Sequence, residues 1–273
     1  VSHCGEPEHC KEIFAQMKQA CLEPSAMTFG ILLDSCIRAR DFEGAEQTFE
    51  ELRHSSLKPN VVHYTTYMKS LACSGQLSKA TRLLDEMLQS NTKPDLVTYS
   101  TLVKAHSDLG CVRGAMKVLE HMLNQGIVPD AVMFNTILAG CSVKAMEASQ
   151  VSRLLQWLLR QGLQPTAATL SILVKAYAKT GSWAAAIDML DSAPAQLGVW
   201  PEAQIYAQLV RACAMAGDGE MACRAYSALA SASRRDGMAL DQATSQRLFR
   251  LCASFGPDVA GVAELSAPSS IGC

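Results

Sequence analysis

The chain has 273 residues, a formal net charge of −2 and 49% apolar residues, but only 6% aromatic ones. This composition favours helices with small buried side chains over an aromatic-rich β fold. No stretch approaches the about 20 apolar residues of a membrane span, so we expect no membrane partner. The near-neutral charge excludes nucleic-acid binding through overall charge, and any such contact has to be local.

Prolines recur along the chain at intervals of 35 or 36 residues, at Pro24, Pro59, Pro94, Pro129, Pro165 and Pro201. A period of this length indicates a solenoid of small units that stack on their neighbours. In chain order we predict units at 1–25 (partial), 26–60, 61–95, 96–130, 131–166, 167–202, 203–241 and 242–256 (partial). Residues 257–273 lose the period and are rich in Gly, Ser, Pro and Ala, so we expect a flexible tail there.

Each unit shows two helical patterns separated by a turn. In 61–95, apolar residues at helical spacing precede and follow Gly75, and Pro94 is expected to end the second helix. Arg40 and Ala145 stand where other units have the turn glycine, so we expect those turns to be made in another way. The extra residues of the three longest units, including 231–237, are expected in loops.

The sequence carries no recognisable catalytic or metal-binding motif. Its eleven cysteines form no CxxC pair and share no ligand spacing with its six histidines, so we expect reduced thiols and no metal. A phosphate-binding glycine loop, a deaminase signature and a Gly-x-Ser-x-Gly turn are also missing from the sequence. We therefore expect no catalytic residues, no cofactor, no small-molecule substrate and no enzymatic activity.

The junctions between units carry a family resemblance. Residues 59–64 read Pro-Asn-Val-Val-His-Tyr, and 94–99 read Pro-Asp-Leu-Val-Thr-Tyr. A Pro-(Asp/Asn) step that leads through an apolar run to an aromatic residue, at a 35-residue period, resembles the pentatricopeptide repeat family, in particular its P-type organellar RNA-binding class. The tetratricopeptide pattern is not found in register. The resemblance covers about 1–256 and weakens at 167–241, where Leu170 replaces the aromatic residue and Leu240 the last proline.

This resemblance implies an all-α fold, a right-handed superhelical α-solenoid of about seven helix-turn-helix repeats. It also implies sequence-selective binding of single-stranded RNA, about one base per repeat, in support of RNA stability, processing or translation in a mitochondrion or chloroplast. Because Val1 lies in mid-repeat, we expect that a targeting segment is not present in this chain.

In this family the fifth and the last residue of a repeat read one base, and the second residue wedges between bases. Here these base-reading residues are Gly30/Asn60, Thr65/Asp95, Ser100/Asp130, Asn135/Thr166, Ser171/Glu202 and Ala207/Asp241. The wedge residues are Met27, Val62, Val97, Val132 and Ala168, and Gln204 breaks their apolar series. A hydroxyl with an aspartate implies guanine, and Asn135 implies a pyrimidine. The expected RNA is 5′-N-G-G-(C/U)-N-N-3′, with its 5′ end toward the N-terminus of the chain.

A row of cations follows from spacing alone. Lys69, Lys104, Lys175, Arg211 and Arg250 each lie four residues beyond a first base-reading position, and Asp34 and Ala139 interrupt the series. Side chains at i and i+4 share one helix face, so this cation row could contact one phosphate per repeat. An ordinary solvated helix face is the alternative.

Two further alternatives stay open. Asp95 and Asp130 could serve only as helix N-caps, and the wedge valines only as packing residues. The whole chain could instead be a scaffold or protein-binding subunit of an organellar ribosome or another large complex, with a larger ribonucleoprotein complex as a partner. The net charge and the departures at Gly30, Ala207 and Ser171/Glu202 favour that alternative.

Overall fold

The structure, a computed structural model, describes residues 7–236 and 241–256. These residues form fourteen α-helices and no strand. They divide between two compact units, 1–129 and 130–273. The first unit contains α1 (Pro7–Gln19), α2 (Ala26–Arg38), α3 (Phe42–His54), α4 (Val61–Cys73), α5 (Leu77–Gln89), α6 (Leu96–Asp108) and α7 (Val112–Asn124). The second contains α8 (Ala131–Val143), α9 (Ala148–Arg160), α10 (Ala167–Lys179), α11 (Trp183–Leu197), α12 (Ala203–Met215), α13 (Gly219–Asp236) and α14 (Gln242–Ala253).

Within each unit the helices form hairpins that stack side by side. In the first unit α2, α4 and α6 pack in a row, and α3, α5 and α7 each pack on the preceding helix. In the second unit α8, α10, α12 and α14 form the row, and α9, α11 and α13 pack on it. We call the members of each row first helices and the others second helices. The predicted all-α fold of helix-turn-helix repeats is confirmed. The predicted tail at 257–273 lies outside the described residues.

Small and aromatic side chains fill the core of the hairpins. Ala45, Ala80 and Ala115 recur at one second-helix position and are completely buried. A side chain of this size lets two helices approach closely. Phe49 stacks on Tyr67 with ring centroids 4.4 Å apart, so one aromatic pair joins α3 to α4.

The turn inside each hairpin uses a left-handed residue, whether or not it is glycine. Gly75 and Gly110 have φ of 76° and 64°, and Arg40 and Ala145 have φ of 56° and 48°. The expectation that Arg40 and Ala145 make their turns in another way is therefore wrong. These two residues adopt the glycine conformation at a cost, because their Cβ atoms crowd the backbone there.

The second helices end before the recurring prolines. α5 ends at Gln89, and Asn91 has φ of 57°, whereas Pro94 lies directly before the N-cap of α6. Gly126 and Gly162 adopt the same left-handed conformation after α7 and α9. The interpretation of Pro94 as the helix stop is therefore wrong, because the left-handed residue ends the helix and the proline leads into the next one.

Two of the three expected loop insertions lengthen helices instead. α13 runs for 18 residues to Asp236 and so contains most of the stretch expected to be a loop. α11 has 15 residues and holds Pro194 in its interior, where most of the other helices have 13. The expectation of loops at these two places is wrong. Ala232, Arg234 and Arg235 are strong helix formers in α13. In contrast, α11 continues past Pro194 although proline disfavours a helix interior.

Candidate nucleic-acid interface

The wedge residues are exposed although most of them are apolar. Met27, Val62, Val97 and Val132 have 75, 64, 60 and 70% of their surface exposed. Each is the second residue of a first helix. Ala168 and Gln204 are exposed at the same position. Packing therefore does not explain these apolar side chains, and the same exposed position recurs from repeat to repeat.

The last residues of the repeats cap the following first helices. A side-chain oxygen of Asn60, Asp95, Asp130 and Asp241 accepts from the backbone N–H three residues later, at 2.8–3.1 Å. Hydrogen bonds from Thr244 lower the pKa of the Asp241 carboxyl. Capping is thus one role of these residues. A cap occupies one oxygen of a carboxylate and leaves the other for a ligand.

In the second predicted base-reading pair, Thr65/Asp95, the side chain of a third residue contacts both members. The Thr65 hydroxyl lies 2.9 Å from the hydroxyl of Thr98, and Thr98 donates to Asp95 Oδ1 at 2.8 Å. Thr98 is completely buried, Thr65 is half-buried and Asp95 is exposed. α4 and the start of α6 therefore place both predicted side chains at one point of the surface.

The fourth pair has the same arrangement. The Thr169 hydroxyl donates to Asn135 Oδ1 at 2.7 Å and accepts from the Thr166 backbone N–H at 2.8 Å. Asn135 Nδ2 donates to Thr166 Oγ1 at 3.4 Å. Like Thr98, Thr169 is completely buried. The pair Asn135/Thr166 is thus held together by α8 and the start of α10.

The first pair offers a single side chain. Gly30 faces His63, whose Nε2 would lie 3.7 Å from a Cβ added at that glycine. His63 accepts from the Asn60 backbone N–H through Nδ1, at 3.1 Å, and Nε2 donates to Ala26 O at 2.7 Å. Asn60 is therefore the only reading side chain of this pair.

The third and fifth pairs show other partners. Ser100, in the first unit, donates to Leu96 O at 2.7 Å, and Asp130, in the second unit, caps α8. Ser171 donates to Gln208 Oε1 at 2.9 Å, whereas Glu202 is exposed and makes no side-chain cap.

The sixth pair lacks its first member. Ala207 is completely buried, since the residues around it on α12, among them Tyr206 and Val210, are buried as well. A buried methyl group presents nothing to a base. A base-reading role for Ala207 is therefore not supported, and Asp241 stands alone as the cap of α14.

The cation row is exposed at every position. It comprises Lys69, Lys104, Lys175 and Arg211, each one turn beyond a first base-reading position on a first helix, and Arg250 at the equivalent place in α14. Lys104 Nζ lies 3.6 Å from a carboxylate oxygen of Asp108, an exposed pair whose attraction water screens. Asp34, which interrupts the row, binds Arg38.

Sequence reasoning missed the residues that connect the reading pairs. Thr98 and Thr169 are third residues of first helices, and His63 occupies the same position. Gln208, the partner of Ser171, was missed as well. The threonines recur in phase with the prolines, so a period-35 signal for them is present in the sequence.

Other chemistry finds little support in the described residues. Among residues 7–236 and 241–256, no group of three His, Cys, Asp or Glu is arranged to hold a metal. Burial raises the pKa of the Cys141 thiol to about 11 and that of Cys213 to about 12, which makes both poor nucleophiles. None of the described helices is both long and apolar enough to span a bilayer.

Comparison with known proteins establishes the family. A family model described as the pentacotripeptide-repeat region of PRORP matches residues 8–178, more than half of the chain. The chain therefore belongs to the pentatricopeptide repeat family. No curated protein matches the sequence.

Solved structures of the family share the fold. The maize pentatricopeptide repeat protein PPR10 matches 93% of this chain at 19% identity with a TM-score of 0.61, over 45% of its own length. PPR10 in complex with an 18-nt psaJ RNA element matches 91% at 20% identity, TM-score 0.53, over 45% of its length. Arabidopsis thaliana nuclear protein-only RNase P 2 matches 70% at 16% identity, TM-score 0.51, over 44% of its length. The chain thus spans less than half of each of these relatives.

Proposed function

We propose that this chain binds single-stranded RNA sequence-selectively, with about one base per repeat. The observation that carries the proposal is the site at Thr65 and Asp95. Thr98 connects these two polar side chains, and the exposed Val62 and Val97 belong to the same two first helices. An unpaired base between the two valines would turn its Watson–Crick edge toward the pair.

The chemistry of this pair favours guanine. Asp95 Oδ1 is occupied by the cap and by Thr98, so Oδ2 is the oxygen left for a base. A carboxylate oxygen only accepts hydrogen bonds, and guanine carries N–H donors on its Watson–Crick edge. Asp130 caps α8 in the same way, so a second guanine is proposed for Ser100/Asp130. Asn135 is proposed to bind a pyrimidine, which gives 5′-N-G-G-(C/U)-N-N-3′.

The cation row supplies the backbone contact. Lys69 lies one helical turn from Thr65, and Lys175 one turn from Ser171. Cations at this spacing suit phosphates of a strand that follows the row of first helices, and they strengthen binding without selecting a sequence.

Relatives support the class of ligand. PPR10 has been solved with an RNA element bound, and RNase P 2 is named for activity on RNA. We propose for this chain a passive role in a mitochondrion or chloroplast, in which a clamped RNA segment is protected from nucleases or kept from pairing. RNA stability, processing or translation would change as a result.

A scaffold role is the second candidate. Ala207 is buried and Gly30 has no side chain, so two of six pairs lack a first reading side chain, and the net charge is −2. A scaffold would bind a protein segment or sit as a fixed subunit in a ribonucleoprotein complex, and it would not discriminate between RNA bases.

Binding to short RNAs separates the two candidates. We would measure fluorescence anisotropy with single-stranded RNAs that carry G-G or A-A at the central bases, and with an RNA duplex, at about 0.15 M salt. The proposal expects tightest binding to the G-G strand. Equal binding to all three RNAs, or none, would favour the scaffold.

A matched pair of variants tests the surface. Val62→Glu adds a charge to the proposed contact surface of the wedge residues, and Val128→Glu adds the same charge at an 82% exposed valine outside it. Loss of one base contact of about 1–3 kcal/mol predicts about 5- to 150-fold weaker binding for the first variant. The second should bind as the wild type does, and equal losses for both would contradict the assigned surface.

A further inference from the structure

We propose that the buried hydroxyls of Thr98 and Thr169 set the hydrogen-bond polarity of the neighbouring base-reading residues and thereby the base that each pair selects. The inference rests on the proposed RNA binding and deepens it. Both threonines are completely buried, so neither touches RNA. They are positioning residues that act through Thr65 and Asn135.

Thr98 makes Thr65 an acceptor. A hydroxyl has one proton, and that of Thr98 goes to Asp95 Oδ1, since a carboxylate can only accept. In the 2.9 Å contact between the two threonine hydroxyls, Thr65 must therefore be the donor. With its proton directed inward, Thr65 presents only lone pairs outward, beside Asp95 Oδ2. The pair becomes two acceptors, which match the adjacent N1–H and N2–H donors of guanine.

Thr169 gives Asn135 the opposite polarity. The Thr169 hydroxyl accepts from the Thr166 backbone N–H. Where Thr98 has the Asp95 carboxylate as its neighbour, Thr169 has the Thr166 hydroxyl, which can donate a hydrogen bond. The Thr169 proton is therefore available to Asn135 Oδ1, at 2.7 Å. The amide oxygen of Asn135 is thus held by Thr169, one N–H of its NH₂ group donates to Thr166 Oγ1, and the second N–H is left for a ligand. A base with an acceptor on its edge, such as cytosine or uracil, fits this arrangement, and guanine donors oppose it.

The chain contains a natural contrast. Asp130 caps α8 through the backbone N–H of Met133, which stands where Thr98 and Thr169 stand in their helices. Met133 has no hydroxyl, so Asp130 accepts only the backbone bond from the third residue of its helix, whereas Asp95 also accepts the Thr98 hydroxyl.

The test removes the hydroxyl of the buried threonine and keeps the shape of its side chain. Thr98→Val removes the acceptor for the Thr65 proton, so Thr65 can rotate and donate to a base. We expect the ratio of Kd values for adenine and guanine at that one base to fall about fivefold to tenfold. Thr98→Ser keeps the hydroxyl and should retain the ratio. Thr169→Val should leave this base unaffected and lower selection of a pyrimidine over guanine at its own base.

The possible outcomes distinguish a failure of the hydroxyl's role from a failure of the proposed RNA binding. A variant that is only less stable loses affinity for all RNAs and leaves the ratio intact, so an unchanged ratio in Thr98→Val overturns the role of the hydroxyl. Equal loss of the ratio in Thr98→Ser overturns it as well. If the wild type itself binds no RNA, or binds without preference, the proposed function has failed instead. Thermal melting of each variant identifies any that do not fold, and Thr169→Val then tests the inference independently.

Discussion

The substitution Asp95→Asn should convert the proposed guanine site into an adenine site. Asp95 Oδ1 accepts from the Thr98 backbone N–H and hydroxyl, both at 2.8 Å. Asparagine caps helices about as well as aspartate, so its carbonyl oxygen can keep these two bonds. Its NH₂ group then takes the place of Oδ2 at the surface. A donor beside the Thr65 acceptor suits adenine, whose edge has an N1 acceptor and an N6–H donor.

The expected size of the effect follows from one hydrogen bond to the base, in which the protein atom changes from an acceptor to a donor. A hydrogen bond to a charged group contributes about 1.5–3 kcal/mol, and a good base contact discriminates by about 1–3 kcal/mol. The ratio of Kd values for adenine and guanine should therefore fall about 10- to 100-fold. The assay is anisotropy with RNAs that differ only at the base opposite Thr65, at about 0.15 M salt.

The control is the same change one repeat later. Asp130→Asn should alter preference at the neighbouring base and leave the base opposite Thr65 unchanged. Melting curves check that both caps persist. Equal weakening of adenine and guanine RNAs by Asp95→Asn would refute the reasoning, because the carboxylate would then act only through overall charge or stability.

Three other substitutions have defined outcomes. Lys69→Ala should weaken binding to every RNA equally and lower the slope of log K against log salt by about 1, as measured by a salt titration. Ala145→Gly should raise the free energy of unfolding by about 0.5–1 kcal/mol in urea denaturation, because glycine adopts φ of 48° without strain. Gly114→Ala should lower it by about 1–3 kcal/mol, since its Cβ would overlap the ring of the buried His106.

Matched controls exist for the two stability changes. Ala216→Gly alters a helix C-cap with φ of −80°, where glycine relieves nothing, so it should not stabilise the chain. Gly30→Ala places its Cβ 3.7 Å from the nearest atom and should not destabilise it. If either control behaves like its test variant, the turn strain or the helix contact assigned here is wrong.

The sequence predicts the repeat well because its signals are local and redundant. The proline period and the helical spacing gave the helix-turn-helix repeats, and the family resemblance gave the wedge position of Val62. The role of Pro94 was misjudged because the left-handed residues that follow the second helices vary among Gly, Asn and Cys. The prediction of a loop at 231–237 was wrong because no residue in that stretch breaks the helix before Asp236.

The details of the reading pairs depend on side-chain geometry that a linear pattern does not contain. Thr98 is visible in the sequence only as a recurring residue, and its bond to Thr65 spans 33 positions along the chain. Ala207 kept the expected phase, but its side chain is completely buried, and burial is set by the neighbouring helices. Phase along the chain therefore locates a position without giving its exposure.

Selection of bound sequences from a random pool of single-stranded RNA, at about 0.15 M salt, tests the central claim most directly. The account predicts enrichment of a short motif that contains G-G followed by a pyrimidine, with its 5′ end toward the N-terminus of the chain. Retention of RNA without any motif, or no retention at all, would contradict sequence-selective binding.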